Sequence, residues 1–419
     1  MKYGLIGERL GHSFSKEVHA ALASYEYELK EIAHKDLPSF MTNKSFNAIN
    51  VTIPYKEAVI PFLDVISDEA RSMGAVNTIV NHNGKLHGYN TDFFGMRALL
   101  GKLGIDANGK KVAILGSGGT AKTALAVSKS IGASEILVVS RQKKDGTVDY
   151  AELYEKHTDT DIIINTTPLG MYPNNDGCPI DISRFKNLSG VIDAIYNPLR
   201  TSLILDAKKR GIPAEGGLYM LIAQGVYASE IFLSTKYPET KIDEIYDSIL
   251  SDKENIALIG MPSSGKSTVG RILADMLERD FIETDELIVE NVGKSIKDIF
   301  KEDGETAFRD IESDVVKQVS TKNGKVIATG GGSILRSENL RALQQNSRLV
   351  FIDRSLENLI ASDDRPLSQD MNAVKALYEA RYEKYKAAAD VSVNGDNSPK
   401  AVAEEIIGGL KNETVILYN

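Results

Sequence analysis

Two glycine-rich turns on this chain have the residue types and spacing to hold phosphate. The first is Gly116-Ser117-Gly118-Gly119-Thr120-Ala121. The second is Gly260-Met261-Pro262-Ser263-Ser264-Gly265-Lys266-Ser267-Thr268. The first follows G-x-G-x-x-A, which brings backbone against a dinucleotide pyrophosphate. The second follows G-x-x-x-x-G-K-S, the P-loop of nucleoside triphosphate binders. A chain with both predicts a redox step in one half and phosphoryl transfer in the other.

Each turn needs a strand before it and a helix after it. Lys111-Val112-Ala113-Ile114-Leu115 reads as a buried strand, residues 120–131 as a helix, and Ile136-Leu137-Val138-Val139 as the next strand, which completes a βαβ unit. The helix N-terminus would stabilise the pyrophosphate charge. Ser140 and Arg141 follow the second strand. An NAD site wants an acidic residue there for the ribose 2′-hydroxyl, whereas Arg141 suits a 2′-phosphate and predicts NADP. A solvated surface arginine is the competing reading. In the other half, strand 255–259 runs into the P-loop and helix 267–277 leaves it. Backbone N–H groups along Ser263, Ser264, Gly265 and Thr268 would cradle phosphate. Lys266 would offset β/γ-phosphate charge and Ser267 would bind Mg²⁺. This motif alone leaves ATPase, GTPase and small-molecule kinase open.

At 419 residues the chain is too long for one ordinary core and predicts two to three domains. Its net charge of −9 offers no basic surplus for nucleic acid. The single cysteine, Cys178, excludes an intrachain disulfide and fits a reducing cytoplasm. Charge arrives early at the N-terminus, so no signal peptide is expected, and no apolar run reaches membrane-spanning length. Residues 1–100 alternate strand and helix without a nucleotide turn, forming a lobe opposite the dinucleotide lobe. The polar, proline-containing stretch 236–240 is a candidate boundary. Ile242, Ile245, Tyr246, Ile249 and Leu250 recur at helical spacing, and Ser251-Asp252-Lys253-Glu254 is a second candidate hinge.

Further motifs carry a resemblance. Gly11-His12-Ser13-Phe14-Ser15, Asn50-Val51-Thr52-Ile53-Pro54-Tyr55-Lys56, Gly74-Ala75-Val76-Asn77-Thr78 and Gly88-Tyr89-Asn90-Thr91-Asp92 occur in order. Asn165-Thr166-Thr167-Pro168-Leu169-Gly170, Tyr196-Asn197-Pro198 and Gly217-Leu218-Tyr219-Met220-Leu221 continue the series to Gln224. Residues 1–235 thereby resemble shikimate dehydrogenase. The resemblance implies a catalytic lobe over 1–100, completed by a helix near 218–235, and a Rossmann-type NADP lobe over 101–217. It implies that Lys56 protonates the oxygen of 3-dehydroshikimate and that Asp92 orients Lys56. Ser13 and Ser15 match carboxylate-binding hydroxyls. Thr52, Asn77, Tyr196 and Gln224 match other substrate contacts, and Ala194, Gly217 and Met220 match the nicotinamide pocket. Lys16 departs from the family's usual proline.

Phe281-Ile282-Glu283-Thr284-Asp285, Gly304-Glu305-Thr306-Ala307-Phe308-Arg309, Thr329-Gly330-Gly331-Gly332-Ser333, Arg365-Pro366-Leu367 and Arg381-Tyr382-Glu383-Lys384-Tyr385 form a second ordered set. Residues 255–410 resemble shikimate kinase. The resemblance implies that Asp285 orients the attacking hydroxyl, that Arg309 and Arg381 clamp the substrate carboxylate, and that Gly331 and Gly332 admit it against backbone. Arg365 would stabilise the transferring phosphoryl group, and Glu283 would join Ser267 on Mg²⁺. Arg309 has a competing reading as an ion-pair partner of Asp310 or Glu312. Three departures stand out. Glu283 replaces the usual aspartate, Ser263 replaces a glycine, and the lid stretch 360–365 is short, with Asp363 and Asp364 beside its one arginine.

The expectation is an α/β protein: a two-lobed dehydrogenase-like unit, a connector at 236–254, and a P-loop kinase domain with a parallel sheet at 255–419. It would use NADP(H), ATP and Mg²⁺ on 3-dehydroshikimate and shikimate, as a cytoplasmic monomer or homodimer. Two alternatives stay open: a quinate or aminoshikimate oxidoreductase in the first half, and a regulatory nucleotide-binding module in the second.

Overall fold

The computed structural model describes residues 1–10, 14–23, 25–361 and 366–416. Ser13, Asp363, Asp364 and Arg365 lie outside the described residues. The chain divides into two compact units, Met1–Ile249 and Leu250–Asn419.

The first unit holds two sheets. The N-terminal one has six strands in the spatial order Tyr27–Glu31, Tyr3–Gly7, Ala48–Val51, Thr78–His82, Lys85–Tyr89 and Val65–Ile66. Tyr3–Gly7 pairs parallel with both neighbours, whereas Thr78–His82 runs antiparallel between Ala48–Val51 and Lys85–Tyr89. Ile6, Ile49, Val51 and Ile79 fill its core. Helix Leu218–Leu233 packs on this lobe: its Ala228 and Phe232 cluster with Leu5, Leu10 and Ala48.

The second sheet is wholly parallel, in the order Ala214–Glu215, Gly190–Asp193, Ile162–Asn165, Lys111–Leu115 and Glu135–Val139. Its inner strands are near-continuous Val/Ile runs, as burial on both faces demands. The helix expected over 120–131 runs Gly119–Ser130.

The second unit is also a parallel sheet, ordered Phe281–Glu283, Val326–Ala328, Asn255–Ile259, Ser347–Asp353 and Val391–Asn394. The central strand Asn255–Ile259 is buried throughout and runs straight into the P-loop, from which helix Lys266–Leu277 departs. The expected hinge at 251–254 is corrected. Helix Lys241–Lys253 continues through most of it, and the unit boundary falls inside that helix. The last carbonyls of the helix find donors instead of fraying. Arg279 donates to the Ser251 and Glu254 carbonyls and Gly324 N–H donates to Lys253.

Candidate active sites

A cleft of about 470 Å³ in the first unit is lined by Ser15, Thr52, Lys56, Asn77 and Asp92 from the N-terminal lobe. Tyr196, Gln224, Thr120, Ala194, Gly217 and Met220 line it as well. Eleven positions read from sequence thus meet in one cavity.

Lys56 Nζ donates to Asp92 Oδ2 at 2.5 Å. Lys56 lies in the loop after Ala48–Val51, and its carbonyl is held by Val76 N–H at 2.8 Å. Asp92 sits in the first turn of helix Thr91–Lys102, where the helix dipole favours a carboxylate. Asn90 caps that helix. Its Oδ1 accepts from Asp92 N–H at 3.1 Å while its Nδ2 donates to the Ala75 carbonyl at 2.9 Å.

Asn77 is 2% exposed. Its Oδ1 accepts from Thr91 N–H at 2.7 Å and from the Thr78 hydroxyl at 2.9 Å, so its amide nitrogen is the group left to meet a ligand oxygen. Gln224 Nε2 donates to the Leu221 carbonyl at 2.9 Å, presenting Oε1 beside the Thr91 hydroxyl. Tyr196 packs against Phe14 with ring centroids 5.4 Å apart, and burial raises its phenol pKa, which keeps it a neutral hydroxyl.

The first phosphate turn adjoins this cleft through Thr120. Gly116 takes φ +108°, and a Cβ there would come within 2.7 Å of Thr166 Oγ1, so glycine is needed on both counts. Ser117, Gly118 and Gly119 are exposed at the start of the helix, and a Cβ on either glycine would meet no atom within 4 Å. That leaves backbone open to a pyrophosphate. Ala121 is buried at 4% and packs inward, away from the approach to the turn. Ser140 is half-buried and Arg141 exposed at the end of Glu135–Val139; neither lines the cleft. Glu152 on the next helix is held by Lys143 at 2.6 Å and Lys156 at 3.4 Å, not by Arg141.

In the second unit a cavity of about 580 Å³ gathers the P-loop with Glu283, Asp285, Arg309, Gly331, Gly332 and Arg381. Lys266 is 8% exposed and folds over the loop, donating to the carbonyls of Gly260 at 3.0 Å and Met261 at 2.8 Å. Ser264 Oγ is buried without a hydrogen-bond partner among the described residues, an orphan that a phosphate oxygen would satisfy. Ser263, in place of glycine, adopts φ +65°, and its hydroxyl donates to the Ile360 carbonyl at 2.7 Å.

Ser267 donates its hydroxyl to Glu283, whose other oxygen lies 3.3 Å from Arg271. Mg²⁺ takes one or two protein oxygens and fills the rest of its octahedron with phosphate and water. A hydroxyl and a carboxylate side by side next to the phosphate lysine fit that demand. Among the described residues there is no group of three or more His, Cys, Asp or Glu that could hold a metal by itself.

The ion-pair reading of Arg309 is met in part. Its guanidinium bonds Glu312 at 2.7 Å and Glu305 at 3.3 Å, whereas Asp310 pairs with Arg336 at 2.8 Å. Glu312 is 1% exposed and also accepts from Ser333 at 2.7 Å. Arg309 therefore lines the cavity and is braced there at the same time. A Cβ on Gly332 would overlap Arg309 Nη1, so only glycine lets the fork lie on that backbone. Arg381, 7% exposed, donates to the Gly331 carbonyl at 3.1 Å, and Tyr385 donates to the same oxygen.

The site residues with no role assigned from sequence include Arg9 in the first cleft, Asn90 beneath Asp92, and Arg354 and Tyr385 in the second unit. Asn90 was findable as an N-cap preceding a helical run. Tyr385 lies four residues after Arg381 and shares its helix face. Arg354 has no motif around it; it is recognisable only as a charge at the carboxyl end of a parallel strand.

Residues 5–79 match the shikimate dehydrogenase substrate binding domain, and residues 262–411 match shikimate kinase. A shikimate dehydrogenase (NADP(+)) from Clostridium perfringens strain SM101 is 37% identical over 265 residues, covering 59% of this chain and 97% of that relative. The chain belongs to the shikimate dehydrogenase family. It carries a shikimate kinase domain as well, so two enzymes share one polypeptide. Solved structures similar to the dehydrogenase unit include a chorismate mutase/shikimate 5-dehydrogenase fusion protein from Clostridium acetobutylicum. That protein is 35% identical, with a TM-score of 0.56, over 59% of this chain and 96% of its own. Shikimate dehydrogenase 1 from Peptoclostridium difficile is 37% identical with a TM-score of 0.55, over 59% and 98%. The Thermus thermophilus shikimate 5-dehydrogenase in complex with NADP(H) and shikimate is 26% identical with a TM-score of 0.54, over 59% and 99%. No helix among the described residues is long and apolar enough to cross a membrane.

Proposed function

We propose that the dehydrogenase unit reduces 3-dehydroshikimate to shikimate with NADPH, and that the kinase domain phosphorylates the new 3-hydroxyl with ATP and Mg²⁺. The observation that carries this reading is the Lys56–Asp92 pair in a cleft of hydroxyl and amide side chains beside a dinucleotide turn.

NADPH, when bound, would supply the hydride that adds to the carbonyl carbon while the electron pair of the C=O bond goes to oxygen. Lys56 Nζ delivers a proton to that oxygen as charge develops. Asp92 holds the ammonium in place. Ser15, with Ser13, receives the carboxylate, and Asn77 and Gln224 fix the ring hydroxyls. Arg141 would favour the 2′-phosphate of NADP, and Ala194, Gly217 and Met220, which line the cleft, would flank the nicotinamide.

In the kinase domain, Asp285 accepts a hydrogen bond from the 3-hydroxyl and turns its oxygen toward the γ-phosphorus. Arg309 and Arg381 hold the carboxylate, a task for which guanidinium forks suit better than ammonium. Lys266 and Arg365 offset the charge on the transferring group. Ser267 and Glu283 would hold Mg²⁺.

The test is a single assay with 3-dehydroshikimate, NADPH, ATP and Mg²⁺ that follows shikimate and shikimate 3-phosphate separately. Both should form, and chelating Mg²⁺ should stop only the second. Faster turnover of quinate with NAD would overturn the dehydrogenase assignment. ATP binding without ADP release in the presence of shikimate would make the kinase domain a regulatory module.

A further inference from the structure

Arg354 follows strand Ser347–Asp353, which pairs in parallel with Asn255–Ile259, the strand that feeds the P-loop. Both strands point their carboxyl ends at the nucleotide side of the sheet, where open α/β folds bind ligands. The side chain lines the same cavity as the phosphate turn, and its Nη1 lies 3.8 Å from where a Cβ on Gly265 would stand. Its Nε is buried and has no hydrogen-bond partner among the described residues.

The neighbouring cations differ in this respect. Lys266 donates to two loop carbonyls, Arg309 is braced by Glu312 and Glu305, and Arg381 donates to Gly331. Hydrogen bonds from Asn358 and then Ser355 hold Asp396 below the usual carboxylate range, with a smaller contribution from the charge of Arg354. Asp396 Oδ1 accepts from Ser355 N–H at 3.2 Å and Asn358 at 2.9 Å, and no ion pair joins it to Arg354 among the described residues. Burying a guanidinium N–H without an acceptor costs about 1–3 kcal/mol, so such a group calls for a ligand anion. The sequence of the lid, Ile360-Ala361-Ser362-Asp363-Asp364-Arg365, offers one cation and two acids. A phosphate-binding charge elsewhere would compensate for that deficit.

We propose that Arg354 is a nucleotide-binding residue of the kinase domain and grips the α/β-phosphates from the end of the strand next to the one that feeds the P-loop. The inference rests on the ATP-binding reading given above. The α/β position follows from Gly265: the backbone of the loop cradles the α/β-phosphates, while Lys266 reaches on to β/γ.

The test uses the full chain, unaltered and as Arg354→Met and Arg354→Lys. Equilibrium binding of ADP, a non-hydrolysable ATP analogue, inorganic pyrophosphate and shikimate is measured by calorimetry with Mg²⁺. The methionine keeps the packing of the stem and removes the charge. Its ADP and ATP-analogue affinities should fall together by about 10- to 30-fold, with pyrophosphate following. Shikimate affinity and dehydrogenase rate should stay unchanged, and Arg354→Lys should recover part of the loss. Unchanged ADP affinity in Arg354→Met would overturn the assignment. So would a loss confined to the ATP analogue, which would place the residue on the γ-phosphate, or a loss of ADP but not pyrophosphate, which would place it on the base. If the unaltered chain bound neither nucleotide, the kinase reading itself would fall, an outcome distinct from equal binding by all three proteins.

Discussion

Lys56 Nζ and Asp92 Oδ2 stand 2.5 Å apart, with side chains 27% and 16% exposed. Val76 N–H holds the Lys56 backbone and Asn90 caps the turn that carries Asp92, so both side chains start from anchored backbone. A proton donor fixed in this way is worth most in the transition state. Lys56→Met should therefore lower kcat for NADPH-dependent reduction by about 10²- to 10⁴-fold while shikimate phosphorylation on the same chain stays intact. Steady-state NADPH oxidation and coupled ADP release measure the two. A drop below threefold would remove Lys56 from the chemistry, and loss of both activities would point to misfolding.

Gly332 gives a sharper test of the kinase carboxylate clamp. Its missing Cβ is the space in which Arg309 Nη1 lies. Gly332→Ala should push the guanidinium off that backbone and strain its bonds to Glu312. The expected result is a rise of roughly 10-fold or more in the KM for shikimate, since a charged hydrogen bond is worth about 1.5–3 kcal/mol. ADP affinity should barely change. Equal loss of both would mean that the glycine shapes the P-loop rather than the clamp.

The order of strands and helices and most cavity-lining residues were legible because each rests on a local pattern. A glycine turn between an apolar run and a helical run can be read from a dozen residues. Lys56 and Asp92 are 36 residues apart, and only the ordered motifs around them link the two. The extent of Lys241–Lys253 was missed because the carbonyls that end it are capped by Arg279 and Gly324, far along the chain. Arg354 was invisible for the same reason: its neighbour Gly265 is brought close by strand pairing, and no spacing rule encodes that.

Ser263 shows how a departure from the family glycine is accommodated. A non-glycine residue in the left-handed region costs about 1–2 kcal/mol, and the Ser263 hydroxyl offsets part of it through its bond to the Ile360 carbonyl. Ser263→Gly loses the bond and the strain together and should be near neutral. Ser263→Ala keeps the strain and loses the bond. It should destabilise the kinase transition by about 1 kcal/mol relative to the unaltered chain. Urea denaturation followed on the kinase activity compares each variant with the unaltered chain; a Ser263→Ala midpoint equal to that of the unaltered chain would show that the hydroxyl contributes nothing.

His19 sets a pH limit on the dehydrogenase unit. The ring is fully buried, stacked on Tyr27 with centroids 3.8 Å apart and bonded through Nδ1 to the Tyr25 hydroxyl at 2.5 Å. Burial pushes its pKa down from 6.5 to about 3. The folded unit keeps the ring neutral while the unfolded chain binds a proton below pH about 6.5, so stability falls with pH between about 6.5 and 3. The slope approaches about 1.4 kcal/mol per pH unit once the unfolded form is fully protonated. Asp193 acts in the opposite sense. Burial raises its pKa from 3.8 to about 6, despite bonds from Asn165 and Thr201, so its contribution is present at low pH and is lost as pH rises through that window. His19→Phe should flatten the acid limb of the stability curve between about pH 6 and 4.5, whereas Asp193→Asn should steepen it. Urea midpoints of the dehydrogenase transition at a series of pH values measure both. A His19→Phe curve parallel to that of the unaltered chain would show that some other group carries the acid sensitivity.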